Sequence, residues 1–468
     1  MQFSRPNFWI RLIFLVVLYR QNVSEIASDC SYEIVPHIWM LKAELLSMRR
    51  ISREKSELIH VILEQDDYLN PLIKEALSSC LPKQGFVYQS QSEKTSTPNL
   101  RLLRIQQYED IDFSNHVKSM TTSLANAYVI RKALIRKNFL WHTISSWWTK
   151  HPGDRSLKGH VPLTVDFELD YAEYLDEALL ECWELNESFV KDEIEWWVLK
   201  PAMSDQGHGI RMFSSEAELR AIFEEWEESS EDEDAEDETG QSDAATGTGK
   251  QDRGIMTSQL RHFVAQKYVS NPLLLEKHQG RKFHIRTYVL AVGALKVYVY
   301  RDMLALFAPL PYVDPKDSEA EPRVHLTNTC LQGGEPVAGS VHRFHDLPDD
   351  QAGLSSNWKQ QVCQQIELAT STLFEAAARE QMIHFQTVPN SFEVFGVDWL
   401  VDSAANVWLL EINAFPDFKQ SGQSLRSVVR GFWDAVIRHA VAPFFGLHCK
   451  IEAGEQMAKV LDIDLGRR

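Results

Sequence analysis

The chain has 468 residues, 44% of them hydrophobic, and a formal net charge of −18 from 66 acidic and 48 basic residues. That length and apolar share allow a sizeable core and more than one subdomain. The acidic balance argues against general binding to nucleic acid or to anionic membranes, and leaves room for a local basic groove.

Residues 1–57 read as an extension. Its apolar stretch, "NFWIRLIFLVVLYR", is short and interrupted by Arg11, too short to span a bilayer comfortably. A signal-peptide core, with small residues for cleavage in "SEIASDC", is the alternative reading. No later segment resembles a membrane span, and the expected location is cytoplasmic. The six cysteines, Cys30, Cys80, Cys182, Cys330, Cys363 and Cys449, are scattered without a C-x-x-C pair. They suit a reduced intracellular protein better than a disulfide scaffold or a zinc site.

A first subdomain is expected over 58–190. It opens on an apolar strand, Leu58 to Leu63, followed by a helix. "ANAYVIRKALIRKNFLWHTISSWWTKH" reads as a basic, aromatic helical segment, and "YAEYLDEALLECWELNESF" as an amphipathic helix. A central subdomain over 191–300 holds the strand "EWWVLKPA", the glycine turn "MSDQGHGIRMF" and a helix capped by Ser214 or Ser215. Within it, 224–255 is an acidic, low-complexity insertion expected to be disordered. The strands "HFVAQKYV" and "KFHIRTYVLAV" follow. The third subdomain, 301–450, carries a long helix from "SNWKQQVCQQIELATSTLFEAAAREQM", the hairpin "FGVDWLVDSAANVWLLEINAFP" and a last helix. Residues 451–468 form a tail. The fold class is α+β with mostly antiparallel strands.

Polar residues in apolar strands carry the chemistry. If the 395–416 hairpin turns across Ser403 to Asn406, Asp398 lies opposite Glu411, and Asn413 shares the face of Glu411. Facing carboxylates repel unless a positive charge sits between them, and an oxygen-only set suits Mg²⁺; carboxylates facing solvent at a strand edge are the plainer alternative. Lys200 ends a strand before a loop containing Ser204, Gly207 and Gly209, where freed amides beside a lysine suit a phosphate. Gln266 and Lys267 sit in a strand read as Val264 to Val269. A hairpin turning at Val292–Gly293 makes His284 face Arg301, with Arg286 a diagonal neighbour on the same face, an arrangement suited to phosphate or carboxylate.

In this order the features resemble the nucleotide site of the tubulin–tyrosine ligase and ligase-like family, of the ATP-grasp superfamily. "WVLKP…GHGIRMF", "QKYVSNPLLL", "RKFHIRTYVL", "YVYRDMLALF", "HLTN" and "FGVDWLVD…VWLLEINAFP" carry the likeness, from about residue 59 to about 445. It implies an ATP-grasp fold with a small N-terminal α/β subdomain and central and C-terminal mostly antiparallel-sheet subdomains. By motif, Lys200 resembles the phosphate lysine. Gln266, Lys267, Tyr268 and Val269 would flank the adenine. Ser204, Gly207, Gly209 and Ile210 would form the loop over the phosphates. Arg286 and Arg301 would hold the γ-phosphate and the transferring carboxylate, with His325 and Asn328 nearby. Asp398, Glu411 and Asn413 would hold Mg²⁺.

The implied reaction joins an amino acid to a protein carboxylate through an acyl-phosphate, with ATP and Mg²⁺ as cofactors. Tyrosine is the first expectation and glutamate the second. The implied acceptor is the acidic C-terminal tail of tubulin, with a free amino acid as the other partner and neither membrane nor nucleic acid bound directly. Arg131, Lys132, Arg136 and Lys137 offer a basic groove for that tail, residues 132 and 136 sharing a helix face; a solvated basic face is the plainer alternative. One departure stands out: family members usually carry aspartate where this chain has His284. Together with the acidic insertion it motivates a second reading, a nucleotide-retaining binding protein without turnover; a ligase with a non-tubulin acceptor is a third.

Overall fold

The computed structural model describes residues 58–89, 100–204, 208–237, 261–317, 322–325, 327, 340–422, 425–450 and 456–466. The N-terminal apolar stretch, Cys30, Gly207, Asn328, Cys330 and the acidic insertion beyond Asp237 lie outside them. Ile59–Arg468 forms one compact unit, in which the described residues build three sheets.

The first sheet is parallel, with β1 (Ile59–Leu63) between β2 (Phe86–Gln89) and β3 (Arg101–Ile105), and β4 (Ser123–Ala125) beyond β3. Helix α1 (Leu69–Cys80) crosses between β1 and β2 and buries Leu69, Leu72, Ile73, Ala76 and Leu77, an i, i+3, i+4 stripe. The second sheet is antiparallel in the order β5 (Thr164–Glu168), β8 (His262–Lys267), β6 (Trp197–Pro201), β7 (Arg211–Phe213).

The third and largest sheet is organised by β9 (Arg281–Val292). Along one edge it pairs with β13 (Phe392–Val401), which pairs onward with β14 (Val407–Ala414). The other edge is shared by β10 (Lys296–Tyr300) and β11 (Leu304–Pro311), continued by β12 (Val341–Arg343) beside β11 and by β15 (Met457–Asp462) beside β10.

The alternation of β9 separates two of the protein's cores. Phe283, Ile285, Val289 and Ala291 point into one, shared with α3 (Lys137–Lys150) and α7 (Trp358–Glu380). Tyr288 and Leu290 point into the other, shared with α1 and α8 (Arg426–Val436). A strand buried on both faces reads as a near-continuous apolar run, so a polar residue within it demands a partner.

Several expected boundaries move. β5 belongs to the central sheet, and β9 and β10 to the C-terminal one. The residues expected to form a tail contribute β15. The basic segment is not one helix: β4 precedes it, α2 (Lys132–Ile135) is a single turn, and Arg136 is extended (φ −100°, ψ 124°) before α3 begins. The expected amphipathic helix is likewise split into α4 (Leu175–Leu179) and α5 (Trp183–Phe189). Helix α6 (Glu216–Asp237) runs well into the acidic stretch expected to be disordered. Ser215 caps it, its Oγ accepting the Glu218 amide at 3.2 Å, while Glu218 accepts the Ser214 amide at 2.7 Å. Cys80, Cys182 and Cys363 are buried, Cys449 is half-buried, and none of the four is in a disulfide. Among the described residues no helix is long and apolar enough to cross a membrane.

Arg131 has a structural role. Its Nε lies 2.9 Å from Glu393 on β13, a carboxylate 2% exposed that also accepts the Tyr128 amide at 3.0 Å. The guanidinium stacks 3.9 Å over the Tyr108 ring. Arg131 therefore pins the first subdomain to the large sheet and is not available to an acceptor groove. Burial pushes the Glu393 carboxyl up to about 7, with Arg131 and the Tyr128 amide restraining the rise. A carboxyl whose folded pKa exceeds its unfolded value costs stability as pH rises from about 4.5 through 7. Arg131→Met is therefore expected to destabilise the fold by about 3–5 kcal/mol at pH 8 and by less at pH 5, where Glu393 is protonated; urea midpoints at the two pH values measure this.

Candidate functional site

The site lies where the central and C-terminal sheets meet. Lys200, at the end of β6, is buried; its Nζ donates to Gln266 Oε1 on the adjacent β8 at 2.7 Å and to the Leu410 carbonyl on β14 at 3.3 Å. One ammonium thus ties the two sheets together. Burial lowers its pKa to about 8, an effect opposed by the carboxylates of Glu411 and Asp398 and reinforced by Lys137.

Asp398 does lie opposite Glu411, by way of a bulge between Asp398 and Trp399. Closer to the turn, Val401 pairs with Val407 and Trp399 with Leu409; without the extra residue Asp398 would face Leu410. Asp398 is buried and gripped by Arg286 of β9, with Nε at 2.5 Å from Oδ1 and Nη2 at 2.9 Å from Oδ2. This fork raises the Arg286 pKa against the opposing effect of burial. Gly396 makes room for it: a Cβ there would stand 3.2 Å from Arg286 Cδ and 2.8 Å from Pro416 Cβ. Asn413 donates to Glu411 Oε1 at 2.9 Å. Burial would raise the Glu411 pKa, but the charge of Lys137, the Asn413 bond, Lys200 and Arg286 together bring it to about 2. Two carboxylates and an amide therefore gather with Lys137, Lys200 and Arg286 at the seam.

Lys137, expected in an acceptor groove, belongs here instead. The break at Arg136 turns it inward; its Nζ donates to the Ser204 carbonyl at 2.5 Å, and it lines a cleft with Lys200, Gln266, Thr164 and Leu410. Lys132 is exposed, and Arg136 donates to the Met203 carbonyl at 3.4 Å. Since Arg136 is not helical, 132 and 136 do not share a helix face. Arg301 is also misplaced by the expected register. β10 pairs Lys296 with Val292 and Val299 with Val289, so Arg301 follows the strand on the side of α7, where it pairs with Glu367 at 2.7 Å, on the opposite face of the sheet from Arg286. Leu304 and Leu306 of β11 stand in register with Arg286 and His284.

The strand predicted to reach Val269 ends at Lys267, which pairs with Glu195 at the surface. Tyr268 is buried, its hydroxyl 3.1 Å from both His325 Nδ1 and Lys282 Nζ. Val269 is half-buried. Ile210 packs with Val198 and Tyr268, Gly209 has φ 69°, and Ser204 donates to the Pro201 carbonyl at 3.2 Å. His325 is buried and its imidazole pKa falls to about 4, chiefly through burial. Lys282 is a site residue that motif reading passed over. It is buried, its Nζ 4.2 Å above the Tyr268 ring, and burial together with Lys200 lowers its pKa to about 7. The period-two spacing 282, 284, 286 was the signal that could have found it.

Among the described residues no three histidine, cysteine or acidic side chains converge as a ready metal cage. The donor set is Asp398, Glu411 and the amide of Asn413. These oxygen donors fit a hard divalent cation that keeps waters or takes ligand oxygens, with Lys200, Lys137, Arg286 and Lys282 placed to balance a polyphosphate.

Comparison with known proteins agrees with this geometry. The tubulin-tyrosine ligase family matches residues 115–448. A "probable tubulin–tyrosine ligase" of Schizosaccharomyces pombe is 40% identical over 424 residues, 88% of this chain and 99% of that one. "Probable tubulin–tyrosine ligase PBY1" of Saccharomyces cerevisiae is 38% identical over 405 residues, 83% of this chain; the match spans 52% of that protein's length. Among solved structures, the C-terminal domain of K. lactis Pby1, described as an ATP-grasp enzyme interacting with the mRNA decapping enzyme Dcp2, superposes with a TM-score of 0.63 at 34% identity, covering 87% of this chain and 99% of that one. Two sheets meeting at a charged seam, a family match over most of the length and a relative shared almost end to end give one conclusion: the chain belongs to the tubulin-tyrosine ligase family and has the ATP-grasp fold.

Proposed function

We propose that the protein is an ATP-dependent carboxylate–amine ligase that joins an amino acid, tyrosine first and glutamate second, to a protein carboxylate, with the C-terminal tail of tubulin as the leading acceptor. The observation that carries this reading is the seam itself: Lys200 and Lys137 from one side, Arg286, Asp398, Glu411 and Asn413 from the other, with Lys200, Arg286 and Asp398 buried and the other three half-buried. Asp398, Glu411 and Asn413 would hold Mg²⁺, which would supply positive charge against the phosphates of ATP. Lys200 and Lys137 would neutralise further phosphate charge, and Arg286 would orient the transferring phosphoryl group. Gln266, Tyr268 and Ile210 would line the base. Activation of the acceptor carboxylate as an acyl-phosphate then needs positioning and charge stabilisation, with no covalent nucleophile from the protein.

A second reading has its own observation. Arg301 turns away, apolar Leu304 and Leu306 flank Arg286 and His284, and the Pby1 domain of K. lactis interacts with a decapping enzyme. These features favour a protein that keeps its nucleotide site and acts by binding a partner.

Incorporation of labelled tyrosine or glutamate into detyrosinated tubulin, with MgATP, separates the two. In the ligase reading Glu411→Gln lowers incorporation by about 10²-fold or more without changing the melting temperature by more than a few degrees. ATP binding in a separate titration with no incorporation by the unaltered protein supports the second reading. A Glu411→Gln variant with near-normal incorporation overturns the assignment of the carboxylates.

The lysines predict a pH signature. Free Lys282 and Lys200 lose their protons near pH 7 and 8, and a bound polyphosphate raises both pKa values. ATP binding at pH 8 should therefore take up protons, and affinity should fall as pH rises from about 7 to 9. Calorimetry in two buffers of different ionisation enthalpy reads the uptake, which is smaller in Lys282→Met.

A further inference from the structure

Alternation gives the central sheet two faces. Thr164, Lys200, Val264 and Gln266 line the cleft. Their neighbours Val165, Leu199, Phe263 and Ala265 point the other way, into a separate core closed by Leu175 of α4, Leu185 of α5 and Phe223 of α6. The layer formed by α4, α5 and α6 therefore lies on the side of the sheet away from the cleft, and the chemistry described above makes no use of its outer surface.

That surface is apolar as well as charged. Leu180, Trp183 and Val190 are 73%, 79% and 83% exposed, and Tyr171, Tyr174 and Ile194 are exposed as well. On α5, Trp183 and the C-cap residue Val190 stand two helical turns apart and share the stripe opposite the buried Leu185 and Ser188. In the turn before α4 the Tyr171 and Tyr174 rings pack edge to face, 6.1 Å apart. A lone exposed apolar side chain is ordinary, whereas a group of them rimmed by polar residues marks an interaction surface. Here the rim is acidic. Glu177, Glu181, Glu184, Glu187, Asp192 and Glu193 are exposed and have no ion-pair partner among the described residues, and Lys191 is the one cation between Tyr171 and Ile194.

Charge selects the occupant. An anionic membrane, a nucleic acid or an acidic peptide would meet like charge here, and a second copy packed through the same face would set these carboxylates against their own images. A cationic segment with apolar side chains answers both halves of the surface. Its lysines or arginines meet the carboxylates, its apolar stripe covers Leu180, Trp183 and Val190, and the indole face of Trp183 takes a cation. We infer that the outer face of α4 and α5 is a docking surface for a basic amphipathic segment of a partner protein, anchored on Leu180 and Trp183. The central sheet stands between this face and the cleft, so the docking does not rest on the nucleotide reading and leaves the cleft free.

The probe is an amphipathic helical peptide of leucine and lysine, with a leucine–glutamate peptide of the same pattern as its control. Both are titrated into the unaltered protein, Trp183→Ala, Leu180→Ser and the double variant Glu184→Gln, Glu187→Gln. The substituted side chains are all exposed, so melting temperatures should not move. The leucine–lysine peptide is expected to bind, with a loss of about tenfold in Trp183→Ala. The glutamine pair should weaken it at low salt and flatten its salt dependence, the leucine–glutamate peptide should not bind, and ATP should titrate alike in every variant. Absence of binding by the leucine–lysine peptide overturns the inference, as does binding indifferent to both Trp183→Ala and Leu180→Ser. A dimer of the unaltered protein in sedimentation that is lost in Trp183→Ala assigns the face to a second copy, and binding to phosphatidylserine vesicles lost in the same variant assigns it to a membrane; either result overturns the inference.

Discussion

The fork between Arg286 and Asp398 is the interaction on which the site depends. It joins the central strand of the large sheet to its neighbour, in a region where every flanking side chain is buried. A buried ion pair adds little net stability over an apolar pair of similar volume, because desolvating both ions offsets their attraction. What it contributes here is placement. Two parallel hydrogen bonds fix the guanidinium plane and both carboxylate oxygens together, and the bare Cα of Gly396 lets the arginine stem lie flat against β13. Glu411 is held low by this same guanidinium, by Lys200 and by Lys137. The charge balance of the seam is therefore collective: removing one ion changes the field at the others.

Helix α3 and Lys200 explain how sheets from different parts of the chain keep one geometry. The helix buries Leu140, Ile144 and Trp147 in the core beneath the large sheet. It also reaches the central sheet, through Lys137 at its first turn and through His142, whose Nε2 lies 2.7 Å from Asp166 on β5. One element thus touches both jaws. Because Arg136 is extended, the turn before it can present Arg131 to Glu393 while the turn after it presents Lys137 to the cleft. Four cations that read as one basic face are shared among a structural pair, the solvent and the site.

How much of this was legible depends on which rule governs each residue. The hydrophobic periods of α1, α7, β9 and β13 sufficed to place those elements, because burial on fixed faces leaves little choice. The facing of Asp398 and Glu411 was legible for an incomplete reason. A four-residue loop with a regular ladder and a five-residue loop with one bulge lead to the same pairing, and the alternation of polar residues reports only the outcome. Register across Val292–Gly293 was not legible. The observed pairs differ from a two-residue turn by an odd number of positions, and an odd slip moves every later side chain to the other face; that is why Arg301 meets Glu367. Lys282 lay inside a motif already recognised but went unused, although its spacing from His284 and Arg286 is that of a strand face. The exact partners of Arg131 and Lys137 depend on a single extended residue, and a helical pattern of apolar positions contains no sign of it.

The last strand has a consequence for how this molecule behaves among its own copies. β15 runs antiparallel to β10 and occupies the outer edge of the large sheet. Without it, β10 would present a row of bare amides and carbonyls beside Val297 and Val299, the kind of edge that recruits another strand. Residues 457–462 are therefore a built-in cover, in which Lys459 paired with Asp462 at 2.8 Å adds charge to the new rim. Loss of the segment would act first on solubility and self-association, at a distance from the charged seam.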